Sequence, residues 1–121
     1  MKYLILFLFA SSIIFSQNFE ARIETDESSN EIIIKGMFEN HSDSTVKFSY
    51  KMISGKTGTS GTSNTSQSGD FTAEPNEKIY LSKVILNKDD SDYQIKLLIF
   101  DNKNVVLKDS VKLNFHNEGA N

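Results

Sequence analysis

Few side chains of this sequence could do chemistry, and they are scattered along the chain. The 121 residues include no cysteine, which excludes thiolate nucleophiles, thiolate metal sites and disulfide bonds. The sequence has two histidines, His41 in a predicted turn and His116 near the C-terminus. They are not spaced as the residues of a metal site or a catalytic dyad are. Ser60 and Ser63 lie in a glycine-rich run, but no predicted strand-to-helix elbow holds them as a serine hydrolase requires. We therefore expect no catalytic residue, no bound metal and no cofactor.

The charged residues also argue against two classes of function. Thirteen lysines and arginines against sixteen aspartates and glutamates give a net charge of −3, whereas a nucleic-acid-binding domain usually has a basic face. Asp89, Asp90 and Asp92 could offer carboxylates to calcium, but their spacing lacks the central glycine and distal glutamate of an EF-hand loop. We expect a solvated acidic turn at these residues and no binding to nucleic acid.

The N-terminus has the composition of a secretory signal peptide. Lys2 precedes a nearly unbroken apolar run over residues 3–15, and polar sequence begins at Gln17. About thirteen apolar residues suit a signal peptide, whereas a transmembrane helix needs about twenty. We expect cleavage after Ser16, so that residues 1–16 are removed and residues 17–121 form one exported domain. Without a cysteine this domain has no lipoprotein anchor, and we expect no membrane attachment.

The remaining sequence alternates apolar and polar residues with a period of two, which is typical of half-buried strands. The apolar spacing of an amphipathic helix does not persist anywhere after the N-terminal run. Strands are predicted over residues 19–24, 31–38, 46–52, 79–86, 93–100 and 105–115. Short strands joined by polar turns favour two antiparallel sheets packed face to face. The predicted fold is all-β, an immunoglobulin-like antiparallel β-sandwich of about seven strands.

Four residues stand out from this strand pattern. Lys47 and Lys51 lie on the polar phase of the third strand and predict a basic outer face, although such a face is most often only solvated. Gly36 in the second strand indicates a bulge or a close backbone contact. Asp109 lies on the apolar phase of the last strand. A bulge that turns it outward is expected there, because an unpaired buried carboxylate is costly.

The segment 54–70 is the most informative stretch, and it is rich in serine, threonine and glycine. One interpretation is a flexible loop, because this composition buries too little apolar surface to fix its own conformation. The other interpretation is a polar strand at the edge of a sheet, because threonine favours strands. An edge strand of low charge exposes main-chain groups with which another chain can pair.

This segment and the strands after it also carry a family resemblance. The run GKTGTSGTSNTSQSGDF is followed by IYLSKVILN and then by a strand of the pattern YxIxLxIxD, which is formed by Tyr93, Ile95, Leu97, Ile99 and Asp101. In these motifs the chain resembles the CsgH group of curli-type amyloid chaperones, which is related to CsgC. The resemblance extends from about Phe19 to Val111, and its most specific part runs from Gly58 to Gly69. Members of the CsgC type can carry a Cys-x-Cys motif. This sequence lacks the motif and in this respect resembles the CsgH type.

The resemblance implies a periplasmic, non-enzymatic chaperone that binds secreted curlin-like subunits transiently and inhibits their premature amyloid polymerisation. We expect a monomer whose partners are these subunits. Two candidate contact surfaces are the polar edge and the basic strand face, represented by Thr59, Ser63, Thr65, Gln67, Lys47 and Lys51.

The alternative is a secreted structural or adhesive β-sandwich, or a carbohydrate-binding module. Sugar binding would be favoured by exposed aromatic residues clustered on one face, because flat rings stack on sugars. Tyr50, Tyr80 and Tyr93 lie among strand residues instead, and we expect them in the core or at its rim.

Overall fold

The computed structural model describes residues 18–59, 61–88 and 91–114. Seven strands lie in these residues: β1 (Phe19–Glu27), β2 (Glu31–Asn40), β3 (Val46–Gly58), β4 (Gly61–Ala73), β5 (Lys78–Asn87), β6 (Asp92–Asp101) and β7 (Asn104–Asn114). None of the described residues belongs to a helix that could cross a membrane. The predicted signal peptide, Asp89, Asp90, Phe115 and His116 lie outside the described residues.

The strands form two antiparallel sheets. One has three strands in the order β1-β2-β5, and the other has four in the order β4-β3-β6-β7. The chain passes from one sheet to the other between β2 and β3, between β4 and β5, and between β5 and β6. This two-sheet arrangement is that of an immunoglobulin-like sandwich and confirms the predicted fold class.

The hydrophobic core lies between the two sheets and is built from alternate residues of each strand. Ile34 and Phe38 of the three-stranded sheet face Met52 and Leu97 of the other, and all four are almost completely buried. At one end of the core Phe38 packs edge-on against Phe71 of β4, with 4.9 Å between the ring centroids. The C-terminal half of β4 is therefore anchored in the core.

The structure shows both a bulge and a close contact at Gly36, the two features predicted for it. The pairing of β2 with β5 changes register between Gly36 and Met37. A Cβ atom on Gly36 would lie 3.2 Å from both Leu97 Cδ1 and Met52 Sδ, which is a tight contact. Glycine at this position therefore allows the two sheets to approach closely.

Asp109 is not turned outward, and that prediction was wrong. The register shift of β7 occurs earlier, between the pairs Ile99–Leu107 and Phe100–Val105, so Asp109 keeps the inward phase opposite Leu97. Its Oδ2 accepts a hydrogen bond from the backbone N–H of Ile23 in β1, at 2.9 Å. The carboxylate is tolerated because it lies at the side of the sandwich, where the edge of the other sheet supplies a main-chain donor.

The flexible-loop interpretation of the segment 54–70 was also wrong. β3 continues to Gly58, and β4 begins at Gly61 and lies at the edge of the four-stranded sheet. The strand interpretation is confirmed, and thirteen consecutive residue pairs join β3 to β4, from Val46–Ala73 to Gly58–Gly61.

Candidate functional site

The open edge of β4 is the most distinctive surface feature of the sandwich. Among the described strands, β4 pairs with β3 on one side and with none on the other. Its first eight residues are all exposed, and the run from Gly61 to Gly69 contains neither a charged residue nor a proline. Native proteins usually protect an edge with charges, prolines or bulges. This run has none of these features, so it can accept another strand.

The hairpin between β3 and β4 decides which main-chain groups of β4 are unpaired. Gly58 pairs with Gly61 across a two-residue connection, and the closing pair of such a hairpin is hydrogen-bonded. Main-chain hydrogen bonding alternates along β4 from this pair, so every second residue from Gly61 onward bonds to β3. The groups that face away from β3 are therefore those of Thr62, Asn64, Ser66 and Ser68.

The structure places three of the four sequence-predicted edge residues on the other phase of β4 and the fourth outside the strand. Thr59 lies in the turn before β4, and Ser63, Thr65 and Gln67 have main-chain groups that bond to β3. The side chain of Gln67 turns toward the three-stranded sheet, where its Nε2 donates to the carbonyl oxygen of Lys83 in β5 at 3.4 Å. The residues with outward main-chain groups were missed, because that phase depends on where the hairpin closes and not on side-chain type.

The outer face of the four-stranded sheet is basic around Lys51. In one row across the sheet Lys51 lies beside Leu98, which lies beside Lys108, and Lys96 belongs to the next row. These three lysines are exposed, and none takes part in an ion pair of the described residues. We call Lys51, Lys96 and Lys108 the lysine face.

Lys47 lies apart from the lysine face. The pairing of β3 with β6 begins at Ser49, so within the described strands Lys47 has its cross-strand neighbour, Thr72, on β4 alone. A shallow surface groove near it is also lined by Asp70 and Asp101. The two lysines that the sequence grouped together therefore have different cross-strand neighbours, and only Lys51 belongs to the lysine face.

The outer face of the three-stranded sheet is organised around Tyr80. The Tyr80 hydroxyl donates to Glu24 Oε1 at 3.0 Å, and the amino groups of Lys35 and Lys78 lie 5.2 Å and 5.4 Å from its ring centroid. The hydrogen bond with Tyr80 and the charge of Glu24 raise the pKa of Lys78 above its ordinary value. Glu24 and Lys78 of this face form an ion pair, and Tyr80 contacts both of them.

Tyr80 also corrects one expectation. Tyr93 is buried and Tyr50 packs against the core, as expected, but Tyr80 is 50% exposed on the outer face. Its neighbours in that face are lysines instead of further aromatic rings. The aromatic cluster that would favour sugar binding is absent from the described residues.

One group of possible metal ligands was missed by the sequence analysis. Glu20, Glu39 and His41 come from the ends of β1 and β2, and their ligand atoms all lie within 4.8 Å of one another. His41 Nε2 lies 3.4 Å from Glu20 Oε1, and the other oxygen of Glu20 lies 3.0 Å from Arg22 Nε. The contact of Glu20 with Arg22 is an ion pair, and its contact with His41 is one when the imidazole is protonated. His116, the other imidazole weighed with His41, lies outside the described residues.

The fold and the site define an immunoglobulin-like β-sandwich with an open, uncharged sheet edge. Residues 20–110 match the family model of CsgH protein, and the chain belongs to that family. A comparison with curated proteins gives no match.

Solved structures show the same fold. The solution structure of R. palustris CsgH is 22% identical, with a TM-score of 0.56, and the match covers 82% of this chain and 94% of that one. The E. coli curli protein CsgC is 21% identical, with a TM-score of 0.61, over 78% of this chain and 96% of that one. A glycosyl hydrolase family 2 member from Bacteroides cellulosilyticus is 13% identical, with a TM-score of 0.50, over 80% of this chain and 15% of that one. At these identities the structures show the shared fold, and family membership rests on the family model.

Proposed function

We propose that this protein is a periplasmic chaperone that binds secreted curlin-like subunits transiently and inhibits their premature amyloid polymerisation. It acts without catalysis, and the signal peptide of residues 1–16 directs its export. Membership of the CsgH family and the fold shared with the curli protein CsgC support this proposal. The observation that carries it is the open edge of β4, which exposes an uncharged run from Gly61 to Gly69.

The open edge suits a client that polymerises as cross-β structure. Such a client grows when a new strand pairs with the last strand of the fibril through main-chain hydrogen bonds. β4 offers the same groups at Thr62, Asn64, Ser66 and Ser68, so it can pair with an early oligomer in place of the next subunit. Hydroxyl and amide side chains bury little apolar surface, and the complex is therefore short-lived.

The lysine face gives the encounter a second component. Lys51, Lys96 and Lys108 are exposed, and unpaired like charges on one face raise the rate at which oppositely charged segments approach. Lys51 lies directly beside Ser68 of β4. An acidic segment of the client that is drawn to this face arrives next to the open edge.

The direct test is a fibrillation assay with a purified curlin-like subunit and the exported protein isolated from the periplasm. At a molar ratio well below one, we expect the lag before fibril growth to lengthen several-fold, because capture of a few early oligomers delays all later growth. A denatured preparation of the same protein serves as the control for non-specific effects. An unchanged lag even at equimolar protein would contradict the proposal.

A further inference from the structure

Asp109 holds a position that the proposed function does not use. It lies on the apolar phase of β7, half-buried between the sheets, and reaches across the side of the sandwich to β1. The residue that it contacts, Ile23, is the middle residue of the nine in β1. Asp109 is thus a charged side chain in the otherwise apolar inward row of β7, and it contacts the centre of the edge strand β1.

The phase of β1 shows what this contact does. The carbonyl oxygen of Asn18 accepts a hydrogen bond from His41 N–H at 2.8 Å, so even-numbered residues of β1 bond to β2. By the alternation of antiparallel pairs, the main-chain groups of odd-numbered residues point away from β2. The N–H of Ile23 is one of these free-edge donors, and the Asp109 carboxylate occupies it at 2.9 Å.

The other edge of the three-stranded sheet is covered in the same manner. Gln67 of β4 donates to the carbonyl oxygen of Lys83 in β5 at 3.4 Å, on the opposite side of the sandwich. Each edge of the three-stranded sheet is thus contacted by a polar side chain from the edge strand that faces it. The shorter of the two contacts, and the one with a charged acceptor, is that of Asp109.

The two edges of the four-stranded sheet differ from each other. β7 carries exposed lysines, including Lys108 and Lys112, and a register shift at Val106 that interrupts regular pairing. Lysines and bulges are both devices that keep an edge from pairing with another chain. β4 has no such device between Gly61 and Gly69.

We propose that Asp109 is an edge guard, a carboxylate that blocks strand addition at β1 so that the sandwich presents β4 as its pairing edge. A strand that added to β1 would have to displace the carboxylate from Ile23 N–H and leave a desolvated charge beside it. A chaperone that offers a single edge ends a growing cross-β assembly, whereas one with two open edges would extend it. This consequence for the client rests on the proposed function; the guard itself does not.

The test compares substitutions at Asp109 in the full protein without any client. Asp109→Leu removes the acceptor and continues the apolar row of Leu107 and Val111. At low protein concentration we expect the Ile23 amide to exchange with solvent about tenfold faster, which corresponds to the loss of one hydrogen bond. At high concentration we expect sedimentation to show larger species, together with renewed protection of Ile23. Asp109→Asn retains an oxygen acceptor but loses the charge, so it should be intermediate, with slower Ile23 exchange and less self-association than Asp109→Leu.

Ser110→Leu is the matched control, because it adds the same side chain on the outer face of the same strand. It should leave Ile23 exchange unchanged. Should the Asp109→Leu protein fail to fold, Asp109→Ala removes the acceptor without adding volume and is measured in the same way. The proposal is overturned if the folded variant that lacks the acceptor stays monomeric at high concentration, whatever its Ile23 exchange, or if Ser110→Leu self-associates equally. These readouts need no curlin subunit, so their failure is distinct from a failure of the chaperone proposal.

Discussion

At the scale of single residues, Asn40 joins three segments that lie next to the open edge. Its side chain is completely buried. Its Nδ2 donates to the carbonyl oxygens of Ser44 at 2.8 Å, Glu74 at 3.1 Å and Ala73 at 3.2 Å, and its Oδ1 accepts from Ser42 N–H at 2.9 Å. One amide thus ties the end of β2 to the turn after it and to the end of β4.

We expect Asn40→Ala to lower the free energy of unfolding by about 2–4 kcal/mol, because buried carbonyl groups lose their donor and each unsatisfied group costs about 1–3 kcal/mol. Chemical denaturation with urea measures this difference. Thr45→Ala, which removes an exposed hydrogen bond to Glu74 in the same region, is the control and should cost less than about 1 kcal/mol. Equal losses in the two variants would show that Asn40 does not have this linking role.

Asn40→Asp gives a pH-dependent version of the same test. The introduced carboxylate cannot donate and would face three carbonyl oxygens, so its pKa in the folded state should rise above the ordinary value of about 3.9. A group whose folded pKa is raised favours the folded state most at pH values below its unfolded pKa, and this contribution is lost as the pH rises through the folded pKa. The stability gap to the unchanged protein should therefore be smaller at pH 4 than at pH 7. A gap that does not change with pH would contradict the proposed packing of the amide.

Residue identity alone could not reveal these roles. Asn40 is followed by His41 and Ser42 in a stretch that has the composition of an ordinary solvated turn, and nothing in that composition indicates a buried amide. Asp109 was predicted to face outward because a buried carboxylate is costly when it is unpaired. The donor that satisfies it, Ile23 N–H, is 86 positions away in the sequence and belongs to the main chain. Such partners become visible only when the two sheet edges are brought together.

At the scale of elements, the edge of β4 can be tested with two neighbouring prolines. Proline removes the N–H of the residue that it replaces, and it is tolerated in a sheet where that N–H faces solvent. Thr65→Pro should destabilise the fold strongly, because this N–H bonds to β3, whereas Ser66→Pro should leave most of the stability in place. Thermal unfolding of the two variants measures the difference. Similar losses of stability would mean that the outward phase has been assigned incorrectly.

The proline at Ser66 then tests the role of the edge in function. We expect Ser66→Pro to lose most of the lengthening of the fibrillation lag, because it interrupts the row of outward N–H groups in its middle. Ser66→Ala removes the hydroxyl but keeps the N–H, and it should inhibit as well as the unchanged protein. If the alanine variant loses inhibition and the proline variant keeps it, the client contacts side chains and not the main chain of β4.

Side-chain patterns predicted every strand outside the segment 54–70. A continuous run rich in β-branched residues indicated β2, and alternation with a period of two indicated the others. Inside that segment neither phase is apolar, and composition favoured a loop over a strand. What resolves it is β3, which supplies a partner for each residue from Gly61 to Ala73. The outward phase of β4 is set by the closing pair Gly58–Gly61, which no periodicity of side chains encodes.

At the scale of the whole molecule, the two outer faces of the sandwich differ in charge. The overall charge of −3 gives no hint of a basic surface, because charges are separated by which strands share a sheet. Lys51, Lys96 and Lys108 come from three different strands and meet only because β3, β6 and β7 are neighbours. The sequence indicated the β3 part of this face and could not supply the rest.

This separation predicts that a charge reversal has different effects on the two faces. Lys51→Glu and Lys83→Glu change the net charge equally, and both lysines are exposed on strands, but Lys83 lies on the three-stranded sheet. If the lysine face attracts the client, Lys51→Glu should shorten the fibrillation lag at low salt, and Lys83→Glu should leave it nearly unchanged.

The contrast between the two variants should fade as salt is raised toward 1 M, where the Debye length falls to about 3 Å and exposed charges are screened. Pairing through the β4 main chain is much less sensitive to salt, so the inhibition that persists at high salt measures the contribution of the edge. Equal effects of the two reversals, or a contrast that survives at 1 M salt, would show that the lysine face does not guide the encounter.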